Sequence, residues 1–536
     1  MDQNNNIVHS VFANFNKLST QQLSDHFLKV PKKWDSEKVT EYDTVSIQQF
    51  LTLSNQYKQG FRDLNYVAGE KVIFLLPLSV ELFALIWACI SEGVVPVFLE
   101  PTLGLKMIRK SIQVSHARSV FSSRKLLLLS YLIPELWDKD FFAMDGSLGP
   151  IRSLNEFLKG NLQLSPPATR SGDDTALISF TSGTGGNPKA ADRNHRILGA
   201  QFYLGYKYWP RTQNVVEVDM PFFPLLVSHN LGHGTSTVVP AIDFRKPWSM
   251  NPALVLNQIN TLKVTRLSAA PYYLSKLSEY MLQNNIRNQQ LKSLVAGGAA
   301  LPVWMAKNIR EVFPTCDCNV VYGATEAEPI SHIKMEDYIA ATEDGYCVGN
   351  PIEEINVKID PVFGSNFKFG EILLHGPHVI ERYLFNEKSN SEFKYQDNEG
   401  LIWHRTGDIG YLDTSGRIYL LGRKSEMLRQ DDLVVSSFAI EKKCEGLIVD
   451  NTMIKRAAIV QRGYVKKFFL QVYDLKNFTS DLRLSADLKS SICKEVNKIL
   501  ETYLIEEVEI KFIKRIPVEK RHYWKVLRED LRERMF

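Results

Sequence analysis

A chain of 536 residues with 44% hydrophobic and 23% charged residues is long enough for more than one buried core and has the balance of an ordinary soluble globular protein. Its 64 basic and 60 acidic residues leave a net charge of +4, too small a surplus to argue for nucleic acid, and the basic run from Lys511 to Arg534 interleaves acids as a solvated surface does. Six cysteines make no disulfide framework in so long a chain, Cys316 and Cys318 lack the partners of a zinc site, and the polar start MDQNNNIVHS has no apolar core for a signal peptide, so a reducing, cytoplasmic setting is expected.

Residues 1 to about 45 are polar with scattered aromatics and give a weak helical signal. VIFLLPLS (72–79) predicts a buried strand, and VELFALIWACISEG (80–93) a helix with Leu82, Leu85, Ile86, Cys89 and Ile90 on one face. VVPVFLE (94–100) predicts a second strand. Pro77 and Glu81 interrupt the apolar stretch Val72 to Ile90, so it reads as strand, turn and helix and not as a membrane span. Strand, helix and strand at this spacing form a βαβ unit, hence a parallel sheet with helices on its faces. The alternation recurs through Ala117 to Phe121 and a helical segment from Lys125, and continues to about residue 375 with no internal repeat.

LISFTSGTGGNPKAADRNH (177–195) follows as an apolar strand running into Thr181, Ser182, Gly183, Thr184, Gly185 and Gly186, with Lys189 shortly after. Glycines let backbone N–H groups converge on an anion, hydroxyls add donors and the lysine adds a mobile charge, so the loop suits a polyphosphate. It is not a Walker A loop, because Pro188 precedes Lys189 and Ala190 follows it. A Gly/Ser surface turn with a chance lysine is the plain alternative for this motif alone.

Further along, VEVDMPFFPLLVSHNLGHG (216–234) carries His229, which is open between a satisfied structural histidine and a catalytic base. LVAGGAALP (294–302) is a strand ending at paired glycines, where a flat ring can approach the backbone at Gly298 and Ala299. NVVYGATEAEPIS (319–331) contains Tyr322, Gly323, Thr325 and Glu326. WHRTGDIGYLDTSGRIYLLGRKSEM (403–427) contains Asp408 and Arg423, with a hairpin turn at Asp413 to Gly416. About 110 residues of short strands and amphipathic helices, such as Leu488 to Tyr503, close the chain, and IPVEKRHYWKVLRED (516–530) places Lys525 near its end. Taken singly, Glu326 reads equally as a helix-capping surface acid, Asp408 and Arg423 as salt-bridge partners, and Lys525 as a solvated charge.

Together these motifs, in this order and spread over roughly residues 50 to 530, resemble the adenylate-forming superfamily of acyl-CoA synthetases, peptide-synthetase adenylation domains and luciferases. Its phosphate loop reads TSG(S/T)TGxPKG, from which this chain departs at Gly185 and Ala190. The resemblance implies an α/β fold: a large N-terminal AMP-binding domain of layered sheets and helices (1–423) and a small, mobile α+β lid (424–536) turning about Ser425. It implies ATP and Mg2+ as cofactors. Thr181 to Gly186 and Lys189 would hold phosphates, Tyr322 with Gly298, Ala299 and Gly323 the adenine, and Thr325 would face the α-phosphate. Glu326 would bind magnesium, Asp408 and Arg423 the ribose, and His229 and Gly298 would border the acyl pocket. Lys525 would be the adenylation lysine, although Tyr523 and Trp524 stand where Thr/Ser-Gly is usual.

A hard carboxylate suits magnesium, and a long ammonium delivered by a closing lid could bridge the acyl carboxylate and the α-phosphate. The expected reaction is carboxylate plus ATP to acyl-adenylate and pyrophosphate. KSEMLRQDDLVVSSFAIE (424–441) lacks the glycine that borders the pantetheine path in CoA-forming relatives. VPVFLEPTLGLK, VEVDMPFFPL, YGATEAEPIS, LLGRKSE and the RHxxK form around Lys525 resemble the olefin β-lactone synthetase branch, whose substrate is a β-hydroxy fatty acid that closes on itself. An acyl-CoA or acyl-carrier ligase, and a non-catalytic nucleotide-binding relative, stay open beside it. The expected partners are a small-molecule acyl substrate and acyl-processing enzymes or a carrier protein.

Overall fold

The computed structural model describes residues 19–99, 105–128, 132–159, 165–181, 188–210, 217–476, 479, 484–519 and 523–535. The βαβ unit forms as its pattern predicts. Strand Lys71–Phe74 leads into helix Val80–Glu92 and then strand Val95–Phe98, which pairs parallel to the first from Lys71↔Val95 to Phe74↔Phe98. Ser79 caps the helix by accepting from the Leu82 amide, and Gly93 ends it at φ +81°, a left-handed turn open to glycine. The helix is buried nearly all round, which is why its sequence looks like a short membrane segment. Among the described residues no helix is long and apolar enough to cross a membrane.

These strands belong to an eight-stranded sheet. Its neighbours in order are Tyr383–Leu384, Lys189–Asn194, Thr175–Thr181, Val95–Phe98, Lys71–Phe74, Ser119–Ser122, Asp140–Ala143 and Ile151–Ser153. All pairings on the Val95–Phe98 side are parallel, whereas Thr175–Thr181 and Lys189–Asn194, the strands that flank the phosphate-loop candidate in sequence, run antiparallel. Ser182 to Gly186 lie outside the described residues, as do Arg521 and His522.

A second, fourteen-stranded sheet carries the remaining motifs of the large body. Strands Val218–Pro221, Arg266–Ala269, Ser293–Gly297 and Asp317–Ala324 lie side by side and parallel, so their carboxyl ends gather Pro221, Gly297 and Tyr322 at one edge, where ligands of such sheets bind. At one end of this sheet, within the first 45 residues and their weak helical signal, helix Thr20–Asp25 forms, but from Phe27 the chain is extended instead. Phe27–Trp34 and Val39–Ser46 form an antiparallel hairpin whose first strand pairs parallel with Ser236–Val238. Phe27–Trp34 lies between Ser236–Val238 and the edge strand Val39–Ser46, and only its Leu28 and Val30 are buried, so with Pro31 and three lysines it shows little apolar alternation.

From Leu428 onward the chain builds its own core. A four-stranded sheet (Ile448–Val449, Thr452–Arg462, Val465–Asp474, Val508–Phe512) packs against helices Ser437–Cys444 and Ala486–Thr502, the latter burying Ile492, Val496 and Leu500 at helical spacing. Two large units, each with several cores, and this smaller α+β unit make up the mixed α/β architecture.

Candidate active site

One cavity of about 2530 Å³ opens where the two large sheets and the C-terminal unit meet. Lys189, Gly298, Ala299, Tyr322, Gly323, Thr325, Glu326, Asp408 and Arg423 line it, with Ser425 just after them in the chain, and so does Lys525. Residues more than 300 positions apart in sequence therefore face one space.

Asp408 and Arg423 sit opposite each other on the antiparallel strands Ile402–Leu412 and Ile418–Arg423. Asp408 Oδ1 lies 3.1 Å from Arg423 Nε, and Oδ2 accepts from the Tyr322 hydroxyl at 2.7 Å. Arg423 Nη1 also donates to the Thr406 carbonyl at 2.6 Å. The Asp408 carboxylate raises the Arg423 pKa, while burial and then the same carboxylate push the Tyr322 phenol well up, so Tyr322 is a fixed donor. Both carboxylate oxygens are thus aimed and held from two sides, as a receptor for a diol requires.

Glu326 occupies the tight turn between strands Asp317–Ala324 and Ala327–Lys334, which corrects the helix-capping alternative. Its Oε1 accepts from the Tyr383 hydroxyl at 2.8 Å. Burial works against its charge, but the Tyr383 bond and the nearby Lys394 ammonium help outweigh that and hold the carboxyl below its ordinary range. Lys394 Nζ donates to the Ile380 carbonyl at 2.5 Å and stands 3.2 Å from His404 Nδ1. Burial lowers Lys394 to about 7 and His404 to about 3, so His404 is a neutral ring at pH 7. The Thr325 carbonyl accepts from Arg193 Nη2 at 3.1 Å.

Lys189 is only 8% exposed. Its ammonium lies 3.3 Å from the centre of the Phe393 ring and 5.6 Å from that of Tyr383, and burial lowers its pKa against the pull of Glu326. Gly298 follows strand Ser293–Gly297 with φ +85°, a conformation that favours glycine. His229 lies on the cavity wall, but its Nε2 is 2.8 Å from the Phe202 carbonyl and its ring packs on His233 at 4.6 Å. A Cβ at Gly205 would come within 2.6 Å of that nitrogen. His229 ties helix Pro224–Gly232 to helix His195–Tyr208, the structural alternative of the two open for it.

On the C-terminal side, Lys525 is exposed toward the cavity from a narrow loop. Its carbonyl accepts from the Glu519 amide at 2.8 Å, and Leu527 donates to Pro517 at 3.0 Å. The two aromatic residues before it dock this loop. Tyr523 packs edge-on against Tyr272 at 4.7 Å and near Trp248 at 5.5 Å, and Arg456 stacks 3.8 Å over Trp524. Ser425 lies in a single 3-10 turn, Lys424–Glu426, whose flanks are pinned by Arg528 to Glu426 at 3.1 Å and by Arg532 to the Ser425 carbonyl at 3.1 Å. Lys442 donates to the carbonyls of Ala341, Glu343 and Gly345, holding the C-terminal unit on the body.

The sequence pointed to Glu326 but not to Tyr383 and Lys394, which hold its charge, or to His404, which stands beside Lys394. His404 stands four residues before Asp408 and was within reach of the motif, whereas Tyr383 and Lys394 carry no local signal. Among the described residues no group of three or more His, Cys, Asp or Glu side chains could hold a metal. Glu326, a hard carboxylate on the cavity wall, fits a magnesium ion whose remaining ligands would be phosphate oxygens and water.

A profile of the AMP-binding enzyme family matches residues 29–384. The chain is 23% identical over 483 residues to an olefin beta-lactone synthetase of Xanthomonas campestris pv. campestris, covering 85% of this chain and 84% of that protein. It is 25% identical over 401 residues to a 2-succinylbenzoate–CoA ligase of Bacillus subtilis, covering 73% and 75%. The amide bond synthetase McbA from Marinactinospora thermotolerans shares its fold with a TM-score of 0.77 at 17% identity, 98% of each chain being covered. With the family profile spanning well over half its length, this chain belongs to the AMP-binding enzymes and is an AMP-forming acyl ligase.

Proposed function

We propose that this chain converts a fatty acid carrying a β-hydroxyl into its acyl-adenylate and then into a β-lactone. The observation that carries the first step is the single cavity lined at once by Lys189, Glu326, Asp408 and Arg423 of the body and by Lys525 of the C-terminal unit. The olefin beta-lactone synthetases of Xanthomonas campestris and Stenotrophomonas maltophilia, at 23% and 25% identity, support the second.

In the first step a carboxylate oxygen attacks the α-phosphorus of ATP, and pyrophosphate leaves with the electron pair of the broken P–O bond. Asp408, aimed by Tyr322 and Arg423, takes the ribose hydroxyls. The adenine lies along Tyr322, Gly323, Gly298 and Ala299, and Thr325 faces the α-phosphate. Lys189 and the loop from Thr181 to Gly186 hold the outer phosphates, which requires the Lys189 ammonium to leave Phe393 for the anion. Glu326 would hold magnesium, whose positive charge offsets that of the triphosphate. Lys525 neutralises the two anions as they meet, the interaction that lowers the barrier most in such sites.

In the second step the β-hydroxyl oxygen attacks the acyl carbon, AMP departs, and one proton is released. An internal nucleophile needs no pantetheine path, which accords with a stretch from 424 to 441 that has no glycine and forms a short hairpin and a helix. Residues 1–423 then act as the AMP-binding body and 424–536 as a lid turning at Ser425.

The test is product analysis with ATP, Mg2+ and a 3-hydroxy fatty acid, with and without CoA. The expected product is lactone plus AMP, independent of CoA. A thioester without lactone would replace this reading with an acyl-CoA ligase, and no acid-dependent pyrophosphate exchange across a broad panel would leave a nucleotide-binding relative. Lys525→Ala is expected to slow exchange by about 10²- to 10³-fold with ATP binding retained.

A further inference from the structure

The apolar reach of the cavity contains a polar group that adenylation does not use. Phe222, Phe223, Leu226, Ile242 and Tyr273 line this part, as a fatty chain requires. Among them stands Asp219, 7% exposed, on strand Val218–Pro221. Its register partner is Arg266 and that of Pro221 is Ser268, so Asp219, Arg266 and Ser268 share one face of the sheet. All three line the cavity, together with Asn230 and Ser228 of helix Pro224–Gly232.

The hydrogen bonds within this cluster are incomplete. Asp219 Oδ2 accepts from Asn230 Nδ2 at 3.0 Å, but Oδ1 has no partner among the described residues. Arg266 cannot supply one as it stands. Its Nε lies 4.0 Å from Oδ2, and its terminal nitrogens donate to the carbonyls of Trp209 and Pro210, both at 2.9 Å, and to Glu217 at 3.3 Å. The hydroxyls of Ser268 and Ser228, 7% and 2% exposed, are likewise without partners among the described residues. Burial raises the Asp219 pKa, the sign of a carboxylate that has lost water without full replacement. A purely hydrocarbon substrate would leave this acceptor and two hydroxyls unpaired beside it, which is costly in a dry site.

We propose that Asp219, with Ser268 beside it, is a specificity site in the acyl cavity that accepts a hydrogen bond from a hydroxyl on the substrate's chain, so that the preferred substrates are hydroxylated acids. This rests on the adenylation reading and adds to it a residue that selects the acid. The donor enters the gap at Asp219 Oδ1, while Asn230 keeps Oδ2 in place. Asp219 is a binding residue here and moves no proton.

Acid-dependent ATP–pyrophosphate exchange tests it, run with matched acids that lack a hydroxyl or carry one at successive carbons from C3 outward. The wild-type chain should favour at least one hydroxylated acid over its plain counterpart in kcat/KM by roughly 10- to 150-fold, the range for a hydrogen bond to a charged acceptor. Asp219→Leu should erase that preference, read as the ratio of kcat/KM for the hydroxylated acid to that for the plain one; Ser268→Ala should reduce the ratio in part. Equal use of plain and hydroxylated acids by the wild type overturns the proposal even if no Asp219 variant folds, and so does a preference that survives in folded Asp219→Leu. No exchange with any acid would instead remove the adenylation reading beneath it.

Discussion

Tyr523 and Trp524 stand directly before Lys525, and the contacts of Tyr523 give the docked position of that lysine a measurable energy. Its ring meets Tyr272 at 4.7 Å and Trp248 at 5.5 Å, both on the large body. Aromatic pairs of this geometry contribute about 0.5–1.5 kcal/mol each beyond the area they bury. Tyr523→Ala removes two, about 1–3 kcal/mol in favour of the docked arrangement, which corresponds to roughly a 5- to 150-fold change in the docking equilibrium. In the proposed role of Lys525, pyrophosphate exchange needs that lysine at the cavity, so its kcat should fall when docking ceases to be the dominant state, while ATP binding to the body holds. A pair of fluorophores across the two units should report a longer mean distance in the alanine variant. Tyr523→Phe, which keeps the ring, should stay within about twofold of wild type. If Tyr523→Ala exchanges at the wild-type rate with an unchanged interunit distance, the aromatic contacts do not hold the lysine in place.

Glu445 supplies a pH prediction at the same seam. Burial, then Glu441, raises its pKa to about 8, while its Oε2 lies 3.3 Å from the Tyr346 hydroxyl that donates to it. A carboxyl whose folded pKa lies above its unfolded value favours the folded, docked form at low pH, and that contribution is lost as pH rises from about 4.5 toward 8. Thermal stability should therefore fall as pH rises over that window in the wild type, and Glu445→Gln should flatten the trend; parallel pH profiles for the two proteins would refute it. Gly205→Ala brings a Cβ to 2.6 Å from His229 Nε2 and should break the tie to Phe202. The expected result is a lowered Tm by roughly 1–3 kcal/mol of stability and a raised KM for the acid with that for ATP unchanged; an unaltered KM would show that the wall tolerates the methyl.

Elements whose burial is complete were the readable ones. The run from Val72 to Phe98 declared its strand, helix and strand because both faces of the sheet are covered and apolar residues fill every period. The hairpin at Phe27–Ser46 did not, since Phe27–Trp34 buries only Leu28 and Val30 among three lysines and the edge strand Val39–Ser46 buries none of its residues. The site divides in the same way. Asp408, Arg423, Glu326 and Lys525 lie in short motifs, so their types and order were enough to mark them. Tyr383, Lys394 and Asp219 act through partners 57, 10 and 11 residues away or more, and only folding brings those partners to them. His229 shows the converse: a residue of reactive type whose ring nitrogen is spent on a neighbouring helix.

The bond between Tyr383 and Glu326 joins the two large sheets, for Tyr383 lies on the outermost strand of the eight-stranded sheet and Glu326 on a turn of the fourteen-stranded one. That single contact works as a gauge of their alignment. A substitution far away that lets one sheet slip against the other would alter how the carboxylate is presented, and, with Glu326 in its proposed role, would surface as a changed magnesium requirement before any loss of fold. Anyone recombining halves of such ligases would do well to carry both ends of this contact from the same parent.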